Sequence, residues 1–196
     1  VSSYPPAGGG LLAEVIGASI DVRADEVVTG CGSDDVIDSF IRATAMPGDL
    51  IAHADPTFSM VPLFARVSGL VPVGVPLLED GSADVDGLLS TGARIIYLCS
   101  PNNPTGTVTS AREIRRLVER AQGVVLIDEA YAEFSGETDW RRAAVAAGNV
   151  LVTRTFSKAW GLAGLRVGYG VGGREIVSAV AKARGPYKVN ALAELT

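Results

Sequence analysis

Residues 94–131 read RIIYLCSPNNPTGTVTSAREIRRLVERAQGVVLIDEAY, and this stretch decides the fold. Two apolar, β-branched runs, Arg94–Cys99 and Val124–Asp128, have the length of strands and flank a segment of helical periodicity. Ser110 and Glu113 form an S-x-x-E capping box, and Ile114, Leu117, Val118 and Ala121 make one apolar stripe, so a helix is expected over 110–122. Strand, helix, strand in this order is a crossover between parallel neighbours. The helix's arginines, at 112, 115, 116 and 120, read as a solvated outer face rather than a basic patch.

The same alternation continues in both directions. Further strands are expected at Glu26–Thr29, Leu50–His53, Leu70–Pro76, Val150–Thr153 and Arg166–Val171. Further helices are expected at Gly9–Ser19, Asp34–Ala45, Phe58–Val67, Val85–Ser90, Trp140–Ala147 and Arg174–Ala183. Pro62 makes the helix over 58–67 the least regular. The pattern predicts an α/β domain of three layers, α/β/α, around a mainly parallel seven-stranded sheet. No repeat, low-complexity tract or linker divides residues 1–196.

Composition narrows the chemistry. The 196 residues carry a formal net charge of -5, which argues against nucleic acid or an anionic membrane as the main partner. Cys31 and Cys99 suggest neither a disulfide framework nor a metal cluster, which makes a reducing cytoplasm the default. No apolar run reaches membrane-spanning length, and the start VSSYPP has no charged-then-apolar leader. The first residue is not Met, which points to processing or a fragment.

In open α/β sheets ligands sit beyond the carboxyl ends of the strands. Five strand exits carry polar, Gly or Pro chemistry: Gly30-Cys31-Gly32-Ser33-Asp34, Asp55-Pro56-Thr57-Phe58, Ser100 to Gly106, Asp128-Glu129-Ala130-Tyr131, and Thr155-Phe156-Ser157-Lys158. There are only three lysines against fourteen arginines, so Lys158 stands out. An amine among apolar neighbours (Phe156, Trp160) has its charged form disfavoured, which suits imine formation with a carbonyl cofactor or substrate; a snorkelling surface lysine is the alternative. Asp128 ends an apolar run, so its carboxylate needs a partner such as a protonated pyridine nitrogen, unless it caps a helix or binds a metal. Tyr131 could reach the same ligand or be an ordinary half-buried tyrosine.

Gly32, with Ser33 as N-cap, opens a helix whose amides favour an anion such as phosphate; simple turn-and-cap chemistry explains the glycines almost as well. Thr155, Ser157 and Arg166 could add phosphate donors, although Arg166 could equally be a structural ion pair. Phe58 could stack on a planar ring or pack in the core, and Asn103 offers an amide or a plain turn. His53, the lone histidine, reads as a strand residue, which removes Ser–His and His–metal mechanisms. Gly168 to Gly173 fits G-x-G-x-x-G, but its first glycines fall inside an expected strand rather than after one, which argues against a dinucleotide site.

Taken in order, YPP, GCGSDD, DPTF, SPNNPTG, DEAYAEF and TFSKAWGLAGLRVGYG make the chain resemble the fold-type I pyridoxal-phosphate aminotransferases, in particular the histidinol-phosphate aminotransferase-like branch. The resemblance implies that Lys158 forms the imine with pyridoxal 5'-phosphate and shuttles the proton, and that Asp128 pairs with the pyridinium nitrogen. It implies that Asn103 and Tyr131 bond the phenolic oxygen, and that Phe58 stacks on the ring where the family more often has Tyr. Gly32, Ser33, Asp34, Thr155, Ser157 and Arg166 would form the phosphate cup. Tyr4 would reach the phosphate of a neighbouring subunit, giving a homodimer. The implied substrates are an amino acid, histidinol phosphate or an aromatic amino acid among them, and a 2-oxo acid. The chain would be the large domain, without the N-terminal arm and C-terminal small domain of the family. A decarboxylase or lyase of the same fold, and a non-catalytic effector-binding domain, remain as alternatives.

Overall fold

The computed structural model describes Tyr4, residues 10–136 and residues 139–194. Pro5 and Pro6 of the YPP segment, and Gly9 of the first expected helix, lie outside the described residues. Seven strands, β1 (Val27–Cys31), β2 (Leu50–Asp55), β3 (Val71–Pro76), β4 (Ile95–Cys99), β5 (Val124–Asp128), β6 (Val150–Thr155) and β7 (Val167–Gly172), form one sheet in the order β1-β7-β6-β5-β4-β2-β3. All adjacent pairs are parallel except those of β7, which runs antiparallel to both β1 and β6. Among the described residues seven α-helices accompany them: α1 (Gly10–Ile20), α2 (Gly32–Thr44), α3 (Met60–Val67), α4 (Val85–Ser90), α5 (Ala111–Arg120), α6 (Arg141–Ala147) and α7 (Arg174–Ala183). None of the described helices is long and apolar enough to cross a membrane.

Each expected element is present, with no end displaced by more than two residues; α3 begins two residues late. There Pro62 is the reason: the helix starts only at Met60, which leaves Pro62 in the first turn, where a missing N–H costs no intrahelical bond. In α5 the Ser110 hydroxyl accepts the Glu113 N–H at 3.3 Å, whereas the Glu113 carboxylate turns to Arg116 instead of closing the box.

The layers follow from strand periodicity. Ile95, Tyr97 and Cys99 face one side with Leu126 and Leu151, under α2, α3 and α7; Ile96 and Leu98 face the other with Val125 and Ile127, under α4, α5 and α6. Successive residues of a strand point to opposite faces, so a central apolar run serves two cores at once. Helix α1 closes the β1–β7 edge through Ala13, Ile16 and Ile20 against Val27 and Val171.

The G-x-G-x-x-G run has a packing role. Gly168, Gly170 and Gly172 lie on the β7 face beneath α2 and α7. A Cβ at Gly168 would collide with the Ser33 backbone, and one at Gly170 would lie 2.9 Å from Val36. Bare backbone here lets α2 settle onto the sheet and brings its first turn to the rim.

Candidate functional site

The carboxyl ends of β1, β2, β4, β5 and β6 share one rim. Because β7 is antiparallel, its first residues lie at the same rim, and this orientation is what brings Arg166 there. A cleft of about 150 Å³ opens at this edge. Asp128, Ala130 and Cys99 line it from the central strands; Ser33 and Asp34 from α2; Phe58, Asn103 and Tyr131 from three loops. Thr155, Ser157, Lys158 and Arg166 complete it. The structure therefore gathers ten of the twelve residues singled out in the sequence; Gly32 and Tyr4 are the other two.

At the cleft's base Asp128 is 3% exposed. Its Oδ2 accepts the Tyr97 hydroxyl at 2.8 Å, and its Oδ1 accepts the Thr153 hydroxyl at 3.1 Å and the Ala130 N–H at 3.2 Å. Among the described residues no cation pairs with it. Burial pushes its carboxyl above the ordinary range, while the three donors pull it back. Burial, with Asp128 alongside, likewise pushes up the Tyr97 phenol and the Cys99 thiol.

A carboxyl whose folded pKa is raised contributes stability fully below the ordinary carboxylate value and loses it as pH climbs through the raised one. Asp128→Asn removes that loss. The ligand-free variant is therefore expected to resist urea better than the parent at about pH 8, with the gap closing toward about pH 4; unfolding midpoints at the two pH values check this.

Lys158 is exposed rather than enclosed by apolar neighbours, which corrects the expectation of a desolvated amine. The reason is the direction of the flanking rings. Phe156 packs on Tyr169 at 5.6 Å between centroids, and both Phe156 and Trp160 line a separate, larger hollow beside α1. The Lys158 Nζ lies 5.4 Å from the centroid of the Tyr131 ring, over its face.

The anion-binding end is built around α2. Ser33 is not the N-cap: β1 continues through Gly30 and Cys31, α2 starts at Gly32, and Cys31 occupies the cap position without a side-chain bond. Asp35 reaches back instead, its Oδ2 accepting the Cys31 N–H at 3.1 Å. Ser33 consequently sits in the first turn, where backbone N–H groups have no helical partner. Gly32 has φ +81, and a Cβ there would lie 2.5 Å from Arg166 Nη2. Arg166 donates from Nη1 to Ser157 Oγ at 3.3 Å and from Nη2 to Asp34 Oδ2 at 3.4 Å. Thr155 Oγ1 accepts the Ser157 N–H at 3.1 Å, which shapes the turn leading to Lys158.

On the opposite wall Phe58 both lines the cleft and packs against the core. Asn102, which the sequence did not single out, ties two rim loops together: its Oδ1 accepts the Thr57 hydroxyl at 2.7 Å and its Nδ2 donates to Pro56 O at 3.1 Å. Asn103 next to it lines the cleft. Tyr4 lies outside the cleft, 82% exposed and stacked on Tyr187 at 4.7 Å. His53 is a buried residue of β2 whose Nδ1 meets Ala54 O at 2.9 Å. Tyr97 and Thr153 also escaped the sequence reading; the available signal was register, since Thr153 is the direct β6 partner of Asp128.

Fold and cleft together define a class: an α/β protein with a helix start and an arginine suited to an anion, a buried carboxylate, and an amine on the wall. The comparisons narrow this. The model of the family "Aminotransferase class I and II" matches residues 10–194, and the chain belongs to that family. It is 40% identical over 96% of its length to a histidinol-phosphate aminotransferase of Ruegeria pomeroyi, covering 54% of that protein. It is 38% identical over 97% of its length to an aromatic amino acid aminotransferase of Corynebacterium glutamicum, covering 58%. In fold it is similar to the histidinol-phosphate aminotransferase of Sinorhizobium meliloti, solved in complex with pyridoxal 5'-phosphate: TM-score 0.91 at 23% identity, over 98% of this chain and 54% of that one. The chain thus spans little more than half the length of these relatives.

Proposed function

We propose that the chain is the cofactor-binding large domain of a pyridoxal-phosphate-dependent aminotransferase. The observation that carries this reading is the Asp128 carboxylate, buried, held by neutral donors only and open toward a cleft that also presents Lys158. The donor set fits the cofactor. A carboxylate without a cation suits a protonated ring nitrogen, and the first turn of α2 with Ser157 and Arg166 suits a phosphate. Phe58 offers a ring face, while Asn103 and Tyr131 offer side-chain donors on the cleft wall.

When bound, pyridoxal phosphate supplies an aldehyde for exchange with amines and a protonated ring that takes up the electron pair left when a substrate Cα–H is removed. Asp128 keeps the proton on the ring nitrogen. Lys158 Nζ, free to swing because it is exposed, accepts and returns the proton at the substrate Cα. Thr155, Ser157, Arg166 and the α2 amides fix the phosphate, so the reacting atoms keep one position relative to Nζ. The reaction assigned is amino-group transfer between an amino acid and a 2-oxo acid, with a histidinol phosphate or aromatic donor suggested by the relatives' names. Tyr4, exposed and not among the residues lining its own cleft, is assigned to the phosphate of a second subunit in a homodimer.

Borohydride reduction after pyridoxal phosphate is added, followed by peptide mapping, tests the reading. The reduced label is expected on Lys158; a label on Lys182 or Lys188, or none, overturns it.

A further inference from the structure

We infer that Tyr97 is a positioning residue for the cofactor's ring nitrogen: with the Thr153 hydroxyl it holds the Asp128 carboxylate turned so that one acceptor position faces the cleft. The inference rests on the reading that the cleft takes pyridoxal phosphate.

Tyr97 lies in the middle of β4, fully buried in the core beneath α2 and absent from the cleft wall. Phenylalanine would fill that space equally well. A phenol placed there costs free energy unless its hydroxyl is bonded, and the hydroxyl donates to Asp128 Oδ2 at 2.8 Å. The geometry follows from register. Asp128 pairs with Cys99 across the β4–β5 ladder and with Thr153 across the β5–β6 ladder. Tyr97, two residues before Cys99, shares its face and reaches up to the carboxylate, while Thr153 approaches from the other side.

An ionised carboxylate has about four acceptor positions. Thr153 and Ala130 take two on Oδ1, and Tyr97 takes one on Oδ2. The position left over belongs to Oδ2 of a residue that lines the cleft. None of the three donors is charged, so none competes with a ring N–H for ion pairing. The other ionisable groups on the cleft walls are Asp34 from α2, Cys99 from β4, Tyr131, Lys158 and Arg166. Burial raises the proton affinity of Asp128 and, of these groups, Asp34 adds to it; the Tyr97 and Thr153 hydroxyls lead the donors that act against that rise.

An NMR titration of the isotopically labelled Asp128 carboxyl in the ligand-free chain measures the clamp directly. Tyr97→Phe, folded by near-UV circular dichroism, is expected to raise the Asp128 midpoint by about one unit, a tenfold change in proton affinity. Thr153→Ser keeps the hydroxyl and is expected to leave the midpoint in place, whereas Thr153→Val raises it. If Tyr97→Phe does not fold, the Thr153 pair gives the same reading from Oδ1. With bound pyridoxal phosphate labelled at its ring nitrogen, Tyr97→Phe is expected to draw the shared proton toward the more basic Asp128, moving the nitrogen shift toward that of an unprotonated ring. Binding by the parent with an unmoved Asp128 midpoint in folded Tyr97→Phe overturns the inference alone. Absence of binding by the parent overturns the cofactor reading and the inference with it.

Discussion

Lys158→Ala is expected to slow amino-group transfer by at least about a thousandfold, within the range a positioned proton-transfer group supplies, while pyridoxal phosphate still binds. The two effects separate because different parts of the cleft produce them. On the proposed function, affinity would come mainly from the α2 first turn with Ser157 and Arg166, and from Asp128 at the base, and the hydrogen bonds of these side chains go to partners other than Lys158. The proton transfer would have no substitute: among the described residues Lys158 is the only amine lining the cleft, and Arg166 there is a guanidinium, a poor proton acceptor. Lys158→Arg makes this sharper, since it keeps a cation over the Tyr131 ring without a group able to take up a proton. It is expected to be as slow as the alanine variant. Small primary amines added to Lys158→Ala should restore part of the rate; equal rates in parent and both variants would remove Lys158 from the chemistry.

The elements were legible in the sequence because their periodicity is written locally. The runs at 95–99, 124–128 and 150–155 are apolar on both faces and flanked by helical patterns, so nothing competes with a buried strand. Strand order was not legible. The insertion of β7 between β1 and β6, antiparallel to both, depends on glycines accepting α2 on one face, and the same glycines mimic a dinucleotide motif. The cleft was legible for a related reason: residues just past strand ends have nowhere to go but the rim. Tyr97 and Thr153 were hidden because they sit inside strands, where a polar group looks like an ordinary core residue until register places it beside Asp128. Lys158 shows the opposite failure. Neighbours in sequence suggested an apolar cage, but Phe156 and Trp160 turn to another surface.

Arg154→Met is expected to destabilise the ligand-free chain by about 3–5 kcal/mol, the usual cost of stranding one partner of a buried ion pair. Against a typical domain stability of about 5–15 kcal/mol, that is a large share. The Arg154 side chain is 7% exposed and that of Glu129 3%, with Nη2 to Oε2 at 2.6 Å; Arg154 Nη1 also bonds Glu133 at 2.9 Å. The other Glu129 oxygen accepts the Trp140 N–H at 3.1 Å. Burial raises the Glu129 carboxyl and Arg154 lowers it, so removing the arginine leaves burial in command. The defect is therefore largest at neutral pH and shrinks in acid, where Glu129 takes up a proton and no charge is stranded. Glu129→Gln in the Arg154→Met background should recover a large part of the loss, because the amide still accepts from Trp140 and carries no charge; urea unfolding of the four proteins gives the coupling. Strict additivity would mean that the pair is not one unit. The pair also bears on the cleft: Glu129 follows Asp128 just past the end of β5 and Arg154 follows Thr153 within β6, so they clamp β5 to β6 where the carboxylate and its hydroxyl donor sit. Loss of the clamp should therefore loosen the Thr153 bond to Asp128 before it unfolds the sheet, and a shifted Asp128 titration in folded Arg154→Met would register it.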